Sequence, residues 1–561
     1  MNGELSQKRF AFGVTALTIS VIIVKIIGLV YKIPLLHILG AEGMGYFNAA
    51  YEIYALFFVM STAGLPIAVS ILVSENLALG KGRNADKVHK VSFALFAVVG
   101  VFGALVMGFG ASWLAGFLET PKASFAIFAI SPTILLVCIA GAMRGLFQGY
   151  QNMKPTAVSQ VIEALGKLFL GLLFAWIAKR TGRDVEACAA YAALGITAGS
   201  FLSAVYLLFC RKLPCFACAG TLRLTETDPT GRILRRLMFL AIPVTLCSSL
   251  SGLTRVVDMS MIFRRLQSIG YESSVVAAMY GSYSTLAVPL YNLPSSLVAG
   301  ISLSLVPVLT EAAEGARAKQ GSALVKSSIK MCLFLSLPCS VGMAIFARPI
   351  LSLLFAGEES AIVLASPLLT VLAFSVSSSC LMGVTNAILQ AYRRATFPIF
   401  SMLAGTVVKI LSAYILIGIP SIGMYGAAIS TLLCNLVAVG MNLYFIDRIT
   451  GVSYNILKLA MLPMLASFLS IGSGFLVWCI LQQTSASSTG ILVLSVVLCV
   501  VLYLWIGGQF GVYESQEVQM LPGGEKLLKV LNKFGCLKRK DGDYEQRGYD
   551  TRASQQREIR F

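Results

Sequence analysis

Long apolar segments recur along the whole chain, and short polar stretches separate them. Each segment holds about twenty residues, the length that an α-helix needs to cross the hydrocarbon core of a bilayer. The segments lack the apolar–polar alternation of a membrane β-barrel strand. The pattern therefore predicts an all-α polytopic membrane protein with fourteen transmembrane helices. The predicted spans are residues 10–36, 46–74, 88–112, 123–147, 157–178, 187–210, 234–260, 281–310, 327–350, 361–391, 397–417, 424–446, 457–482 and 490–510.

Composition supports a membrane protein. Of the 561 residues, 57% are hydrophobic and only 12% are charged, and a soluble protein of this size cannot bury that much apolar surface. The first apolar segment, from Phe10 to Pro34, is longer than the hydrophobic region of a signal peptide, and no small-residue cleavage site follows it. We expect this segment to be the first span rather than a removed leader.

The net charge of +18 follows the predicted sides of the membrane. With the N-terminus in the cytoplasm, 32 of the 44 Lys and Arg residues fall in cytoplasmic segments, seven in outer loops and five inside spans. Basic loops are retained in the cytoplasm, so we expect a multi-pass plasma-membrane protein with both termini cytoplasmic. The basic surplus is a topology signal rather than a sign of nucleic acid, and the tail at 512–561 can also contact anionic lipid.

The chain repeats itself across its two halves. Residues 63–75 resemble residues 299–311 at an offset of 236, and residues 148–167 resemble residues 390–409 at an offset of 242. The repeat contains six spans, an even number, so both copies enter the membrane in the same direction. This implies a pseudo-two-fold axis along the membrane normal, with the site near that axis. The predicted domains are an N-terminal lobe (1–215, spans 1–6), a C-terminal lobe (216–450, spans 7–12), spans 13 and 14 (451–511) and the cytoplasmic tail (512–561).

Charged side chains interrupt the predicted spans. A cation at the centre of a bilayer costs at least ~2.5 kcal/mol, so such residues face protein, water or a partner of opposite charge. Five are basic and three are acidic, which leaves a formal excess of +2 (five minus three) at membrane depth. This surplus predicts a site for an anionic ligand. The residues are Lys25, Lys32, Lys167, Arg255, Lys409, Glu52, Glu163 and Asp258.

Two of these charges could be neutralised within their own helices. Glu163 and Lys167 are four residues apart, and Arg255 and Asp258 are three apart, so each pair lies on one helical face. If both pairs form locally, neither is available to a ligand. Both interpretations stay open at this point.

Lys25 and Lys32 are seven residues apart and share a face of span 1, and neither has an acid within one helical turn. Lys32 could instead extend to the outer interface; Lys25 is deeper and is the stronger candidate. Glu52 in span 2 could pair with Lys25 or Lys32, or it could carry a coupling proton.

Polar side chains also lie near the inner ends of spans 4 and 10. Arg144 and Gln148 occupy one end, and Asn386 and Gln390 occupy the equivalent end in the repeat. They could form hydrogen bonds to a polar head group that enters from the cytoplasm. The alternative is hydrogen bonding between helices, which we favour for Asn386.

Enzyme signatures are absent from the sequence. It contains no G-x-x-x-x-G-K-[ST] loop, only two His residues, and no soluble stretch long enough for a catalytic domain. Cys215 and Cys218 form a lone C-x-x-C without further zinc ligands, which favours free thiols over a metal site. We therefore expect no enzyme, no cofactor and no metal, although a coupling ion or proton of unknown identity is compatible with the sequence.

Two blocks of sequence resemble a known family. The first block comprises KIIGLVYKIP at 25–34, LGAEGMGY at 39–46 and GLPIAVS at 64–70, followed by Glu75. The second is RGLFQGYQNMKPT at 144–156, followed by Ser159, Gln160 and Glu163. They resemble the stage V sporulation protein B family of polysaccharide biosynthesis flippases. That family belongs to the superfamily of multidrug and toxin extruders, O-antigen flippases and MurJ-type lipid II flippases. The likeness covers about residues 1–510.

The resemblance implies a two-lobed, fourteen-helix fold that moves a lipid-linked cell-wall precursor outward by alternating access. In MurJ-type relatives a cationic cavity receives the diphosphate-sugar head, and the last two helices form a groove for the polyprenyl tail. On this likeness, Lys25, Lys32 and Arg255 would line the cavity, where such relatives use mainly arginine. Lysine binds phosphate as a point charge, without the bidentate fork of arginine.

The sequence thus predicts a flippase for undecaprenyl-diphosphate-linked peptidoglycan precursor (lipid II) or a related lipid-linked glycan. Its expected partners are that substrate, membrane lipids and, as candidates, cell-wall synthesis enzymes. Two alternatives stay open: a cation-coupled multidrug antiporter of the same superfamily, and a non-transporting scaffold for wall synthesis. The predicted substrate-binding residues are Lys25, Lys32, Arg255, Lys409, Lys167, Arg144, Gln148 and Gln390, and the predicted coupling or charge-partner residues are Glu52, Glu163 and Asp258.

Overall fold

A computed structural model gives the fold. It describes residues 2–212, 228–298, 309–310, 318–394, 396–451, 456–483 and 488–511. These residues form helices joined by short connections, and no β-strand occurs among them, which confirms the all-α prediction. The C-x-x-C pair, the tail at 512–561 and most of the repeat copy at 299–311 lie outside the described residues.

Eighteen α-helices are defined within this part of the chain. They are α1 (Asn2–Thr62), α2 (Leu65–Ala78), α3 (Gly82–Phe109), α4 (Ala111–Phe117), α5 (Ser124–Ile130), α6 (Thr133–Gly149), α7 (Lys154–Arg180), α8 (Val185–Lys212), α9 (Thr230–Ser268), α10 (Ser273–Ser282), α11 (Ala318–Ile345), α12 (Ala347–Leu354), α13 (Glu359–Ala373), α14 (Val376–Ala391), α15 (Thr396–Ile417), α16 (Tyr425–Thr450), α17 (Ile456–Leu481) and α18 (Ser488–Gln509). A 3-10 turn (Pro121–Ala123) precedes α5. A π-helical turn (Tyr283–Ala287) follows α10, and residues 288–298 continue as helix.

The structure supports a multi-pass membrane protein without confirming the count of fourteen spans. Ten helical stretches of the described residues are long and apolar enough to cross a bilayer, or eleven when the pair α13 and α14, bent by 48°, is included. The difference has two sources. One continuous stretch, Ile19–Ala78, contains the second predicted span and most of the first, and the predicted spans at 234–260 and 281–310 are not among the ten.

Helix α1 breaks at Gly40, between the first two predicted spans. Gly40 has φ 68° and ψ 176°, a conformation that glycine adopts without the steric cost of a Cβ atom. The second arm of α1 ends at Thr62, and Pro66 lies in the first turn of α2. Proline fits there because the first helical turn does not need its N–H. A helix boundary therefore lies at Gly64-Leu65-Pro66, within the predicted span 46–74.

The chain forms two compact units. Unit 1 comprises Met1–Leu290, Leu351–Leu369 and Thr406–Leu433, and unit 2 comprises Tyr291–Ile350, Thr370–Gly405 and Cys434–Phe561. In unit 1, α1 packs against α7, α8, α9 and α10. The predicted lobes at 1–215 and 216–450 stay a prediction.

Within unit 2, α17 and α18 share an apolar core with α11 and α12. Phe346 packs edge-on against Phe475 and Trp478, with ring centroids 5.6 and 6.3 Å away. The Tyr503 hydroxyl on α18 donates a 2.7 Å hydrogen bond to the Phe334 carbonyl on α11. The helices of the last two predicted spans are thus anchored to the rest of unit 2 by aromatic packing and a buried hydrogen bond.

Two glycines let α1 and α10 touch backbone to backbone. A Cβ atom on Gly45 would overlap the Ala277 carbonyl, and one on Gly281 would overlap the Ala41 carbonyl.

We predict that Gly281→Ala destabilises the protein by about 1–3 kcal/mol, the usual cost of overpacking. The measurement is the apparent melting temperature in detergent. Gly28→Ala is the matched control, since a Cβ atom at Gly28 would meet nothing within 4 Å. Equal melting temperatures for the two variants would contradict this account of the crossing.

Candidate functional site

Lys32 is held inside unit 1. Its Nζ donates a 2.9 Å hydrogen bond to the carbonyl of Ser284, in the π-helical turn after α10. A π-turn shifts the regular i→i−4 bonding, and such turns are frequent at functional sites. One buried hydrogen bond stands nearby, from Asn48 Nδ2 to Thr285 Oγ1 at 2.8 Å. Lys32 thus has a backbone partner within unit 1.

Lys167 on α7 lies against two aromatic rings of α1. Its Nζ is 4.6 Å from the ring centroid of Tyr51 and 5.2 Å from that of Tyr31, within the range of cation–π attraction. Tyr31 is fully buried, and its hydroxyl has no hydrogen-bond partner among the described residues. We call Tyr31 and Tyr51 the tyrosine cradle.

Three ion pairs of the predicted site residues join different helices of unit 1. They are Arg144 with Glu163 at 2.7 Å (α6 to α7), Lys409 with Asp258 at 2.9 Å (α15 to α9) and Arg255 with Glu52 at 3.6 Å (α9 to α1). The same-helix neutralisation of Glu163 by Lys167 and of Asp258 by Arg255 is therefore replaced by pairing across helices. Glu52 likewise pairs across helices, with Arg255. Sequence spacing finds same-helix partners only, because cross-helix distances depend on the fold.

The pairs differ in how tightly they are closed. The Lys409 and Asp258 side chains are only 14% and 16% exposed, whereas the Arg255 side chain is 52% exposed. Glu52 Oε2 is buried and accepts no hydrogen bond from the described residues, although Arg255 Nε is within ion-pair distance. The Arg255–Glu52 pair is thus the loosest of the three.

These charges form one electrostatic group. Glu52 interacts electrostatically with Lys32, Asp258 and Lys409 as well as with Arg255, and Lys32 interacts with Lys167. We define the polar cluster as Lys32, Glu52, Lys167, Arg255, Asp258 and Lys409. Four cations and two carboxylates leave it a formal excess of +2 (four minus two).

Arg144 belongs to a neighbouring network whose hydrogen bonds are satisfied and whose Glu163 also interacts electrostatically with Lys167. Its Nε donates to Ser159 Oγ at 3.0 Å, its Nη2 donates to Ser203 Oγ at 3.1 Å, and Glu163 also accepts a 3.3 Å hydrogen bond from Ser200. This network connects α6, α7 and α8. A buried ion pair whose hydrogen bonds are satisfied typically has a structural role, because it holds neighbouring helices together.

The remaining predicted site residues lie elsewhere. Lys25 is exposed on α1, between the exposed side chains of Ile22 and Ile26. Gln148 is half-buried one turn beyond Arg144, and Gln390 is exposed at the end of α14 in unit 2. Asn386 accepts a 2.8 Å hydrogen bond from Asn442, so it connects helices of unit 2 as we favoured.

Sequence reasoning missed the tyrosine cradle and the Ser284 carbonyl. Tyr31 and Tyr51 each adjoin a charged residue of α1, Lys32 and Glu52, which was the only local signal. Nothing in the sequence connects them to α7. In the described part of the chain, no group of three or more His, Cys, Asp or Glu residues could hold a metal ion.

Solved structures share the fold. A structure titled lipid II flippase MurJ, inward closed conformation, matches with a TM-score of 0.68 and 16% identity, over 88% of this chain and 98% of that chain. An inward-facing multidrug resistance MATE family transporter of the MOP superfamily matches with a TM-score of 0.64 and 18% identity, over 78% and 98%. The apolar helices and the shared fold define a multi-pass membrane protein with the architecture of these solved structures.

Family comparison gives the particular assignment. Residues 10–313 match the polysaccharide biosynthesis protein family, and residues 259–415 match the MatE family. Since the first match covers more than half of the 561 residues, the chain belongs to the polysaccharide biosynthesis protein family.

Three proteins of Bacillus subtilis (strain 168) are similar along most of their length. The uncharacterized membrane protein YabM is 26% identical over 542 residues, 93% of this chain and 96% of the relative. Stage V sporulation protein B is 25% identical over 427 residues, 76% and 81%. Lipid II flippase MurJ is 25% identical over 540 residues, 91% and 97%. The resemblance inferred from the two sequence blocks is confirmed.

We predict that Arg144 compensates the buried charge of Glu163, so that removing Arg144 alone destabilises the fold. Arg144→Met would leave the Glu163 carboxylate without its cation and cost about 3–5 kcal/mol, whereas the double variant Arg144→Met/Glu163→Met would recover most of that loss. The measurement is thermal unfolding of the purified variants. A double variant no more stable than Arg144→Met would contradict this role.

Proposed function

We propose that this chain moves a lipid-linked glycan, undecaprenyl-diphosphate-linked peptidoglycan precursor or a close relative, from the inner to the outer face of the plasma membrane by alternating access. The observation that carries the proposal is the charge surplus of the polar cluster at predicted membrane depth. A diphosphate head group requires cations that are not already neutralised. The name of one relative, lipid II flippase, supports the same cargo class.

Two of the four cations in the polar cluster have neutral partners, so their charge stays available to a diphosphate. Lys32 contacts a backbone carbonyl and Lys167 contacts two aromatic rings. Among the described residues, no carboxylate oxygen lies within ion-pair distance of either Nζ. Neutral partners stabilise an ammonium without cancelling its charge. Lys32 and Lys167 are therefore our first candidates for binding the diphosphate.

Arg255 is the third candidate. Its side chain is half exposed, and its carboxylate partner is 3.6 Å away without a hydrogen bond between them. A phosphate could replace Glu52 at the guanidinium and gain a bidentate contact. Glu52 would then be free to accept a proton or to attract Lys32. We give Lys409 and Asp258 a structural role, since their 2.9 Å pair is mostly buried. Lys25, Gln148 and Gln390 stay predicted contacts of the entering head group.

The proposal also includes the orientation of the chain in the membrane, the path of the lipid tail and the source of energy for the movement. Both termini lie in the cytoplasm, because 32 of 44 Lys and Arg residues then fall on that side. The anchored pair α17 and α18 would guide the polyprenyl tail. No cofactor takes part, and either the membrane potential or an ion gradient drives the movement. Membrane lipids and cell-wall synthesis enzymes are the proposed partners.

A multidrug antiporter is the competing proposal, because the MATE fold is shared. Antiport of cationic drugs needs available acids, yet Glu52 and Asp258 both have cationic partners and the polar cluster is positive overall. Native mass spectrometry of the purified protein distinguishes the candidates. A co-purified lipid-linked diphosphate supports the flippase, and its consistent absence with drug-dependent ion flux in vesicles would overturn it. A scaffold would show neither lipid translocation nor drug flux.

We predict that Lys32→Gln and Lys167→Gln each weaken binding of a lipid-linked diphosphate about ten- to hundredfold, the value of a hydrogen bond to a charged group. Lys→Arg at either position should retain most binding because the charge remains. Translocation of a fluorescent lipid-linked precursor in vesicles gives the second readout. Lys122→Gln is the control, since Lys122 is exposed and 3.9 Å from Glu42. Wild-type transport by both Gln variants would contradict the assignment of Lys32 and Lys167 to diphosphate binding.

The tyrosine cradle yields a separate prediction. Tyr51→Phe keeps the ring over Lys167 and should leave binding unchanged, whereas Tyr51→Leu removes one cation–π contact and should weaken binding about two- to thirtyfold. The measurement is the affinity for a short isoprenyl diphosphate by calorimetry. Equal loss in the Phe and Leu variants would show that the hydroxyl, and not the ring, matters.

A further inference from the structure

His37 lies at the Gly40 end of the first arm of α1. Its side chain is exposed, and both of its ring nitrogens face backbone carbonyl oxygens. Nδ1 is 2.9 Å from the Ile33 oxygen, and Nε2 is 2.9 Å from the Ala356 oxygen. The first contact stays within α1, whereas the second connects α1 to a segment more than three hundred residues later in the chain.

This geometry requires two donors on one ring. A neutral imidazole carries one N–H and one bare nitrogen that accepts, but an imidazolium carries two N–H groups. Carbonyl oxygens only accept. A neutral His37 would therefore hold a nitrogen lone pair against a carbonyl oxygen, and only the protonated ring satisfies both contacts.

Ala356 lies in the short connection between α12 and α13. Gly357 follows with φ +91°, and a Cβ atom there would come within 3.5 Å of His37 Nε2, so the connection turns directly over the imidazole. Residues Leu351–Leu369 belong to unit 1, whereas the stretches before and after them belong to unit 2. His37 thus holds a segment whose flanking chain lies in the other unit.

The charged groups around His37 are Glu358 and Lys179. Glu358 follows Gly357 in the same connection and favours the imidazolium. Lys179, near the end of α7, opposes it electrostatically, and its Nζ donates a 3.0 Å hydrogen bond to the His37 carbonyl. The site therefore includes one acid and one further cation, which secures the backbone of α1 at the same place.

We propose that His37 is a proton-binding site that controls the contact between α1 and the α12–α13 connection. The protonated ring holds the connection against α1, and loss of the proton releases it. We call this contact the clasp. On the proposed topology this clasp faces the outside of the cell. It lies five residues after Lys32, so its opening would free the helix that carries the first cation of the polar cluster. The clasp itself does not depend on which cargo the protein carries.

Hydrogen–deuterium exchange of the peptide spanning residues 351–362 tests the clasp, using the full-length protein in nanodiscs without substrate. Rates are corrected for intrinsic exchange and compared at about pH 5.5 and about pH 8, on either side of the usual histidine titration. We expect exchange in the wild type to be about tenfold slower at the acid pH, as for one hydrogen bond to a charged group.

Two variants separate protonation from packing. His37→Gln keeps an amide donor that does not titrate, so its protection should be the same at both pH values. His37→Phe removes the donors, so exchange should be fast at both. Peptides of α17 serve as an internal control that should show no difference between the variants.

A second readout is the ring itself. The chain contains only two His residues, so NMR of protein labelled at histidine gives two imidazole signals, and the one lost in His37→Gln is that of His37. We expect it to change from imidazolium to neutral across the same pH interval as the exchange. A ring that stays neutral at about pH 5.5, or wild-type and His37→Phe proteins that exchange alike at both pH values, would overturn the proposal. Neither result bears on lipid translocation, so the clasp and the flippase can fail separately.

Discussion

The cost of placing a cation at membrane depth governs this structure. An ammonium or guanidinium in hydrocarbon loses its hydration, and the protein must replace it with other contacts. Unit 1 does so in three different ways. Arg144, Arg255 and Lys409 are paired with carboxylates, Lys32 with a backbone carbonyl, and Lys167 with two tyrosine rings. Only the first way cancels the charge, so the choice of partner decides which cations remain able to bind an anion.

The fold makes these contacts possible through α1. Its break at Gly40 gives two arms, and Tyr31 and Lys32 lie on the first while Tyr51 and Glu52 lie on the second. The close crossing with α10 brings the π-turn near α1, which puts the Ser284 carbonyl within reach of Lys32. A bulkier crossing would separate that carbonyl from the ammonium. Packing with small residues and charge stabilisation are therefore coupled in this part of unit 1.

Much of the fold follows from the sequence, because helix length and hydropathy are local properties. The all-α architecture and the boundary between the predicted spans 10–36 and 46–74, where Gly40 lies, follow from the apolar segments. The family was also recognisable from two short blocks. The number of spans does not follow from hydropathy alone, since adjacent spans such as those within Ile19–Ala78 form one helical stretch.

The site was predictable as a set of residue types but not as a set of pairs. Sequence spacing suggested that Glu163 could pair with Lys167 and Arg255 with Asp258, because residues three or four apart share a helix face. The structure joins Glu163 to Arg144 and Asp258 to Lys409 instead, across separations of 19 and 151 residues. Such contacts depend on how helices cross. Exposure is equally non-local: Lys25 and Lys32 share one helical face, yet Lys25 is exposed, whereas Lys32 donates a hydrogen bond to the Ser284 carbonyl.

The electrostatic balance of the polar cluster has a consequence for the transport cycle proposed for it. Lys32 and Lys167 interact as like charges, and their neutral partners do not relieve that repulsion. An arriving diphosphate would relieve it, and departure of the diphosphate would restore it. Glu52 is the group that can moderate the empty state, because its Oε2 accepts no described hydrogen bond and it interacts with both Lys32 and Arg255. Glu52 can attract either Lys32 or Arg255. When the cargo leaves, both Glu52 and Asp258 would then oppose the four positive charges of the polar cluster.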